Sequence, residues 1–328
     1  MTLAILMIIG GIALLGGGGD FLVRGASTLA LRLRITPAAV GLTVVALGTS
    51  LPELVVSLVA QFRDKDALVF GNVVGSNLFN IGAVLGLGAL IRPMLIPGNT
   101  VRLEWPFMLT SAYLVMLCAR DSLAGEHLVI DRLEGAFFVV ALVFFTAYML
   151  RLARREVTAA EQASLTELVA GVGHDPGHRS WAGALGLVFG GAVGLAIGAE
   201  LTVRGSITVA ELWGVSDRII GLAILAPGTS LPELVATIAA LLHRKSDIAV
   251  GNVIGSNIFN ALGILGLAAL VRPLGVIPEI IHWDLWWMLG MSVVLGPFIS
   301  GRGLNRLEGA ILLLTYVVYC TSLAVRTG

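Results

Sequence analysis

Apolar residues in this chain do not alternate with polar ones at the period of a strand or a half-buried helix. They gather in runs of about 20, the length a helix needs to cross the hydrocarbon core of a bilayer. Ten such runs are expected, near residues 3–23, 36–61, 67–91, 104–119, 127–150, 182–203, 213–242, 248–271, 283–299 and 305–324. The loops between them are short, with one exception after the fifth. There Arg151 to Ser180 carries Arg154, Arg155, Glu156, Glu161, Glu167 and the turn His174-Asp175-Pro176-Gly177-His178. This stretch reads as a linker, too short for a folded regulatory domain. The first run begins at Met1 with no basic region before it and no small-residue cleavage site, and Arg24 follows it, so it is expected to be a retained span and not a signal peptide.

Composition agrees. Hydrophobic residues make up 57% and charged residues 13%, where soluble domains carry about 25% charged. The net charge of zero gives no case for nucleic acid. Cys118 and Cys320 both lie in apolar runs and read as packing residues. Positive charge is biased: assigning each basic residue to its nearest loop puts 13 of the 21 on the side opposite the termini, among them Arg32, Arg34, Arg151, Arg154, Arg155, Arg244 and Lys245. The positive-inside rule then places both termini outside and the linker in the cytoplasm.

The runs repeat. At a constant offset of 180, residues 41–93 match 221–273 at 28 of 53 positions without a gap. Half of the matches are Gly, Asn, Ser, Thr, Pro or Glu, so apolar composition alone cannot explain them. Val23-Arg24-Gly25 recurs as Val203-Arg204-Gly205, and Asp20 falls opposite Glu200. The expected fold is an all-α integral membrane protein of two five-helix repeats, 1–152 and 181–328, joined by a cytoplasmic linker at 153–180. Five is odd, so the second repeat enters the membrane from the opposite side, an inverted-topology pair.

The candidate chemistry lies in the repeated strings. Gly48-Thr49-Ser50-Leu51-Pro52-Glu53 recurs as Gly228-Thr229-Ser230-Leu231-Pro232-Glu233. Pro52 and Pro232 cannot donate to the carbonyl four residues earlier, and helix breaks at membrane depth are tolerated only where they line a cavity or are buried in protein. An ionised Glu there costs several kcal/mol unless it meets a partner or a watery cavity. Carbonyls near Ala46 to Gly48, the hydroxyls of Thr49 and Ser50 and the Glu53 carboxylate form an all-oxygen donor set, as do Thr229, Ser230 and Glu233; such sets suit hard cations. Pro227, where the first copy has Leu47, should open its helix further by releasing the Ala223 carbonyl. The next run repeats Gly71-Asn72-Val73-Val74-Gly75-Ser76-Asn77-Leu78-Phe79-Asn80 as Gly251-Asn252-Val253-Ile254-Gly255-Ser256-Asn257-Ile258-Phe259-Asn260. Asn72, Ser76 and Asn80 form an i, i+4, i+8 polar stripe.

A lone Ser or Asn in a membrane helix usually makes an interhelical hydrogen bond and nothing more. Asn72, Asn252, Asn77 and Asn257 divide between that role and support of a site. Asp20–Arg24 and Glu200–Arg204 read as interfacial i, i+4 pairs, and Asp64, Asp66 and Asp247 as solvated loop charges. The five histidines are scattered, and no hydrolase triad, HExxH, P-loop or dinucleotide signature is present, so neither an enzyme nor an organic cofactor is expected. Paired helix breaks carrying carboxylates at matching positions of two halves point to a transporter's binding site.

The two strings together resemble the paired signature repeats of the sodium/calcium exchanger family, within the cation/calcium antiporter superfamily, at 41–80 and 221–260. The resemblance covers the whole chain. It implies broken helices 2, 3, 7 and 8 around a mid-membrane site, with helices 1 and 6 sliding as a gating pair. It gives Ca²⁺ to Thr49, Glu53, Thr229 and Glu233, and Na⁺ to the two glutamates with Ser50, Ser76, Ser230, Ser256 and the backbone oxygens of Ala46 and Ala226, with Asn80 and Asn260 beside them. Asn260 stands where potassium-dependent members carry Asp, which speaks against K⁺ use. Pro227 departs next to a Na⁺-ligating carbonyl and leaves stoichiometry open. The implied function is Na⁺/Ca²⁺ antiport by a monomer in a prokaryotic inner membrane. A Ca²⁺/H⁺ exchanger, a passive cation channel and an embedded structural subunit are the rival readings.

Overall fold

The computed structural model describes residues 1–120, 128–156, 180–213 and 226–326. The linker expected at 153–180 lies almost wholly outside these residues, as does Ala223. The architecture is helical. In chain order, α1 is Thr2–Leu33; α2 is bent, with halves α2a (Pro37–Thr49) and α2b (Leu51–Phe62); α3 is Asp66–Ile91; α4 joins Thr100–Glu104 to Trp105–Ala119; α5 is Arg132–Glu156. The second half gives α6 (Trp181–Leu212), the described part of α7 (Ala226–Gly228, then α7b, Leu231–Leu242), α8 (Ser246–Val271), α9 (Ile280–Asp284 with Leu285–Ser300) and α10 (Arg306–Arg326). Among the described residues six helices are long and apolar enough to cross a membrane, or seven if the bent α2 counts as one span.

Burial sorts these helices into a centre and a wall. In the apolar stretches of α3 and α8, 78% and 89% of residues are buried, against 17–33% in α1, α5, α6 and α10. The two helices carrying the Asn-Ser-Asn stripes are therefore the innermost, which is where polar side chains can find partners away from lipid.

Local chemistry explains the helix ends. Thr36 caps α2, its hydroxyl accepting from Ala39 N at 3.3 Å with Pro37 in the first turn. Reciprocal capping boxes open α5 and α10: Asp131 with Glu134, and Asn305 with Glu308. Asp64 and Arg244, 180 apart, both take left-handed φ (56° and 60°) at the corners after α2 and α7. There the Lys65 and Lys245 amides reach back to Ala60 and Ala240 at 3.0 and 2.8 Å.

The repeat is visible in the backbone. Widened π-turns occur at Asn80–Val84 and Phe259–Ile264, and at Thr100–Glu104 and Ile280–Asp284. Short antiparallel bridges cross between halves: β1 (Met94–Leu95) pairs with β4 (Gly303–Leu304), and β2 (Val129–Ile130) with β3 (Leu274–Gly275). Each bridge thus joins one half to the other.

Antiparallel α1 and α6 meet along small residues spaced by seven. A Cβ on Gly18 would lie 2.9 Å from the Gly191 carbonyl, and one on Gly11 would lie 2.7 Å from that of Gly198. Bare glycine lets the two backbones touch. Polar ties hold α1 to the corner after α7: His243 Nε2 lies 2.7 Å from Asp20 Oδ1, and Lys245 Nζ donates to Ser27 Oγ at 2.6 Å.

Four expectations need correction. Helices α3 and α8 are not broken; with no proline inside them, each absorbs its irregularity as a π-turn in a continuous helix. Helices α1 and α6 run about ten residues beyond the expected 23 and 203 (to 33 and 212), because the Asp20–Arg24 and Glu200–Arg204 pairs are satisfied within the helix. Helix α5 continues through Glu156, past the expected repeat boundary at 152. Asp66 is not a solvated loop charge: it binds the Arg272 guanidinium and accepts from Gly275 N at 2.9 Å, pinning the start of α3 to the end of α8.

Candidate functional site

The site begins with two helix breaks. Ser50 (φ −86°, ψ 7°) and Ser230 (φ −93°, ψ 10°) leave helical geometry at the same place in each half, and α2 bends by 45° there. Pro52 and Pro232 then occupy the first turns of α2b and α7b, where the missing N–H costs nothing. The same first turns hold Glu53 and Glu233, so the positive end of a helix dipole faces each carboxylate. Both glutamates are 0% exposed.

Each glutamate is held by the other half. Ser50 Oγ donates to Glu233 Oε1 at 2.8 Å, and Ser230 Oγ donates to Glu53 Oε1 at 3.1 Å. The Thr49 and Ser256 hydroxyls also lie within reach of the Glu233 carboxylate, and the charges of the two glutamates act on one another. The second oxygen of each, Oε2, is buried with no hydrogen-bond partner, as are Ser76 Oγ, Asn80 Oδ1 and Asn260 Oδ1.

Around this pair the asparagines act as clamps. Asn72 Nδ2 donates to the Glu53 carbonyl (3.1 Å) and to Ser57 Oγ (2.9 Å), while its Oδ1 accepts from Thr229 Oγ1 (3.4 Å). Asn252 repeats this on the Glu233 carbonyl (3.3 Å), Thr237 Oγ1 (3.0 Å) and Thr49 Oγ1 (3.2 Å). Both amides are spent on positioning. Asn77 and Asn257 bond across the halves, each Nδ2 to the other's carbonyl at 3.3 and 3.4 Å, and Asn80 Nδ2 donates to Asn257 Oδ1 at 3.1 Å.

The predicted residues therefore divide. Glu233, Ser50, Thr49, Asn252 and Ser256 are hydrogen-bonded around Ala46, whose carbonyl takes Ser50 N (3.0 Å), Thr49 Oγ1 (3.3 Å) and Ser256 Oγ (3.5 Å), while Glu53, Ser230, Asn72 and Thr229 form the matching group on the other acid. The Ala46 carbonyl is engaged in the helix and is not freed by the break. In the second half, Ser230 N instead bonds to Pro227 O at 3.2 Å, a tighter turn. The side chain of Ala226 lies outside the described residues, although its backbone opens the described part of α7. Ser76 and Asn260 are buried but make no described hydrogen bond to the glutamate cluster.

Sequence reasoning missed Ser57 and Thr237. The signal was present, because each stands four residues after its glutamate and extends the stripe that Thr49–Glu53 and Thr229–Glu233 begin. It also missed the seven-residue glycine spacing of α1 and α6.

Chemically, the cluster offers two carboxylates and several neutral oxygens, with no nitrogen or sulfur ligand. Among the described residues no group of three His, Cys, Asp or Glu side chains gathers, so a bound cation here would draw on hydroxyls and carbonyls beside the two acids. Two buried like charges are costly unless compensated; a hard divalent cation would match them in charge and donor type.

The family model for the sodium/calcium exchanger protein matches residues 3–151 and 183–325. The chain is 36% identical to CaxA of Alkalimonas amylolytica over 326 residues (97% of this chain and 98% of that one). It is 34% identical to the sodium/calcium exchanger MaX1 of Methanosarcina acetivorans over 342 residues (97% and 98%). Its structure matches that of the sodium-calcium exchanger NCX_Mj soaked with zero Na⁺ and Ca²⁺, with TM-score 0.81 and 27% identity over 98% of this chain and 99% of that one. With the family's model covering both halves, relatives spanning nearly their full length and a membrane fold shared end to end, this chain is an integral membrane transport protein and belongs to the sodium/calcium exchanger family.

Proposed function

We propose that the protein exchanges Na⁺ for Ca²⁺ across a prokaryotic plasma membrane, without K⁺, by alternating access to a single mid-membrane site. The observation that carries this reading is the pair of buried glutamates, each with one oxygen held by the opposite half's serine and the other oxygen without a protein partner. In this reading Glu53, Glu233, Thr49 and Thr229 bind Ca²⁺. Na⁺ uses the glutamates with Ser50, Ser230, Ser76, Ser256 and the carbonyls of Ala46 and Ala226, with Asn80 and Asn260 adjoining. Two carboxylates supply the charge that one Ca²⁺ neutralises, and an empty site would strand both in low dielectric. Forbidding that crossing couples the two fluxes. The hydroxyls favour Na⁺ over H⁺ as the counter-ion, since protons need only the carboxylates. Asn260 in place of an acid favours K⁺ independence.

The same reading takes the chain as ten spans in two inverted five-helix repeats, the first ending with α5 at Glu156 and the second opening with α6, with the linker between them cytoplasmic and both termini outside. Bonds exchanged between halves at an offset of 180 support the two-fold relation. Helices α1 and α6, locked together by their glycine seam, move as a pair over the rest.

Vesicles loaded with Na⁺, K⁺ or acid and diluted into ⁴⁵Ca²⁺ test the proposal. Uptake should require internal Na⁺; uptake driven only by internal acid makes the protein a Ca²⁺/H⁺ exchanger, and equal uptake under every loading makes it a passive pore. Glu53→Gln and Glu233→Gln should each abolish exchange in protein that remains monodisperse, and retained exchange in either removes that residue from the site.

A further inference from the structure

The two halves each leave an apolar trough on the lipid-facing wall, but their sequences furnish the troughs differently. Between α4 and α5 a cavity of about 360 Å³ is lined by Leu103, Phe107, Phe144, Phe145 and Tyr148. Its counterpart beside α9 and α10, about 370 Å³, is lined by Trp283, Trp286, Trp287, Gly290, Val294 and Thr315, with His282 at one end. At the same register, Leu103, Pro106, Phe107 and Thr110 of α4 become Trp283, Trp286, Trp287 and Gly290 of α9. The fold builds both troughs; only the second carries tryptophan.

The second trough also carries cations. The Arg326 guanidinium lies 3.6 Å from the centre of the Trp283 ring, and that of Arg120 lies 5.6 Å from the Trp286 ring. Among the described residues no cation sits over the rings of the first trough. Arg120 follows the end of α4, Arg326 ends α10 and Trp283 lies near the start of α9, so all three belong to the face of the membrane where the termini emerge. Asp284 at this level accepts from Tyr319 Oη at 3.0 Å, and its charge also acts on Arg326. From His282 to Val294 the trough follows α9 for about 18 Å, twelve residues at about 1.5 Å each. That is close to one leaflet, half of a core about 30 Å thick. Gly290 is one of its lining residues, and the space over it is open, since an added Cβ would meet nothing within 4 Å.

We propose that this trough binds one anionic phospholipid from the leaflet on the termini side. Arg120 and Arg326 hold the phosphate, the tryptophans flank the glycerol and carbonyl region, and an acyl chain lies along α9 over Gly290. An interfacial aromatic belt alone would account for the tryptophans. It would not account for two arginines over their faces, nor for a trough one leaflet long that is open over Gly290.

The test is native mass spectrometry of the detergent-purified full chain with phosphatidylglycerol or phosphatidylcholine of identical acyl chains. The wild type should retain phosphatidylglycerol in preference. Removing each arginine should weaken that retention about fivefold, so the Arg120→Gln/Arg326→Gln pair should abolish the headgroup preference. Gly290→Leu, which fills that open space and leaves the charges in place, should lower phosphatidylglycerol retention by itself. Equal retention of the two lipids by the wild type overturns the proposal. So does phosphatidylglycerol retention unchanged in Gly290→Leu and in whichever arginine variants remain monodisperse.

Discussion

Four consecutive glycines, Gly16 to Gly19, allow the α1–α6 seam to be probed with a single methyl group. A Cβ on Gly17 would meet nothing within 4 Å, whereas one on Gly18 would stand 2.8 Å from the Leu195 nitrogen and 2.9 Å from the Gly191 carbonyl oxygen. Ordinary Cβ contacts begin near 3.4 Å, so Gly18→Ala asks α6 to retreat by about 0.6 Å (3.4 less 2.8). The obstructing atoms are backbone, so no rotamer change relieves them. Gly→Ala in a helix gains about 1 kcal/mol from propensity, and overpacking costs about 1–3 kcal/mol. The propensity gain is common to both positions and cancels, leaving the neighbours about 1–3 kcal/mol apart. At roughly 2–4 °C per kcal/mol, the Tm of Gly18→Ala should fall below that of Gly17→Ala by roughly 2–12 °C. Thermal unfolding of the two detergent-purified variants, followed by the monodisperse fraction on gel filtration, measures the gap. Gly17→Ala should match or exceed the wild type. Equal midpoints, or a less stable Gly17→Ala, would refute the close approach of the two backbones.

Other expectations follow from the site and its surroundings. Ser50→Ala and Ser230→Ala each remove one donor from the opposite half's glutamate; hydrogen bonds to charged groups contribute about 1.5–3 kcal/mol, so each should raise the half-saturating Ca²⁺ concentration about tenfold or more. An effect confined to one serine would break the two-fold pairing. Asn72→Ala removes the amide that ties Glu53, Ser57 and Thr229, and should slow exchange at least about tenfold in protein that still runs monodisperse, since a displaced ligand shell loses activity before fold. Exchange at the wild-type rate would deny Asn72 a positioning role. Burial pushes the Lys245 ammonium below the usual lysine range, with Asp247 pulling it partly back. The unfolded chain then binds more protons than the folded one between that lowered value and about 10.4, so this group makes stability rise with pH across that window. Unfolding midpoints taken from neutral to pH 10.5 should climb less in Lys245→Met than in the wild type, and identical slopes would count against it.

How much of this was legible depends on whether the signal is local. The breaks at Ser50 and Ser230 could be read because proline and glycine act on their own helix, and the offset of 180 that aligns the two strings also aligns the π-turns and the corner residues Asp64 and Arg244. The continuity of α3 and α8 was not legible, because an Asn-Gly-rich stripe without proline is equally compatible with a break or a π-turn. Hydropathy ended α1 too early at Asp20 and Arg24; their i, i+4 pairing was readable from spacing, but the His243 contact that also holds Asp20 is a tertiary fact. Asp66 shows the same limit, since its partner Arg272 is 206 residues away. Ser57 and Thr237 were readable from register alone, had the polar stripe been followed past the glutamates.

The exchanged serine bonds carry a consequence for how such a site can work. If Ser50 bonded Glu53 and Ser230 bonded Glu233, each half would hold its own acid, and the halves could separate without disturbing either. Instead, each acid's Oε1 is oriented by the serine of the other half, and Asn72 and Asn252 tie the Thr of one half to the helix carrying the Glu of the other. Motion of one half would therefore disturb the bonds on both acids together, and on the proposed mechanism the unpartnered Oε2 atoms are where the cation binds. The helix N-termini behind Glu53 and Glu233 offer each acid only about half a positive charge, too little to neutralise two carboxylates. With both acids ionised the shortfall is about one positive charge for the pair; on the proposed mechanism a bound cation makes it up in every rearrangement of the halves, and this ties the two fluxes together.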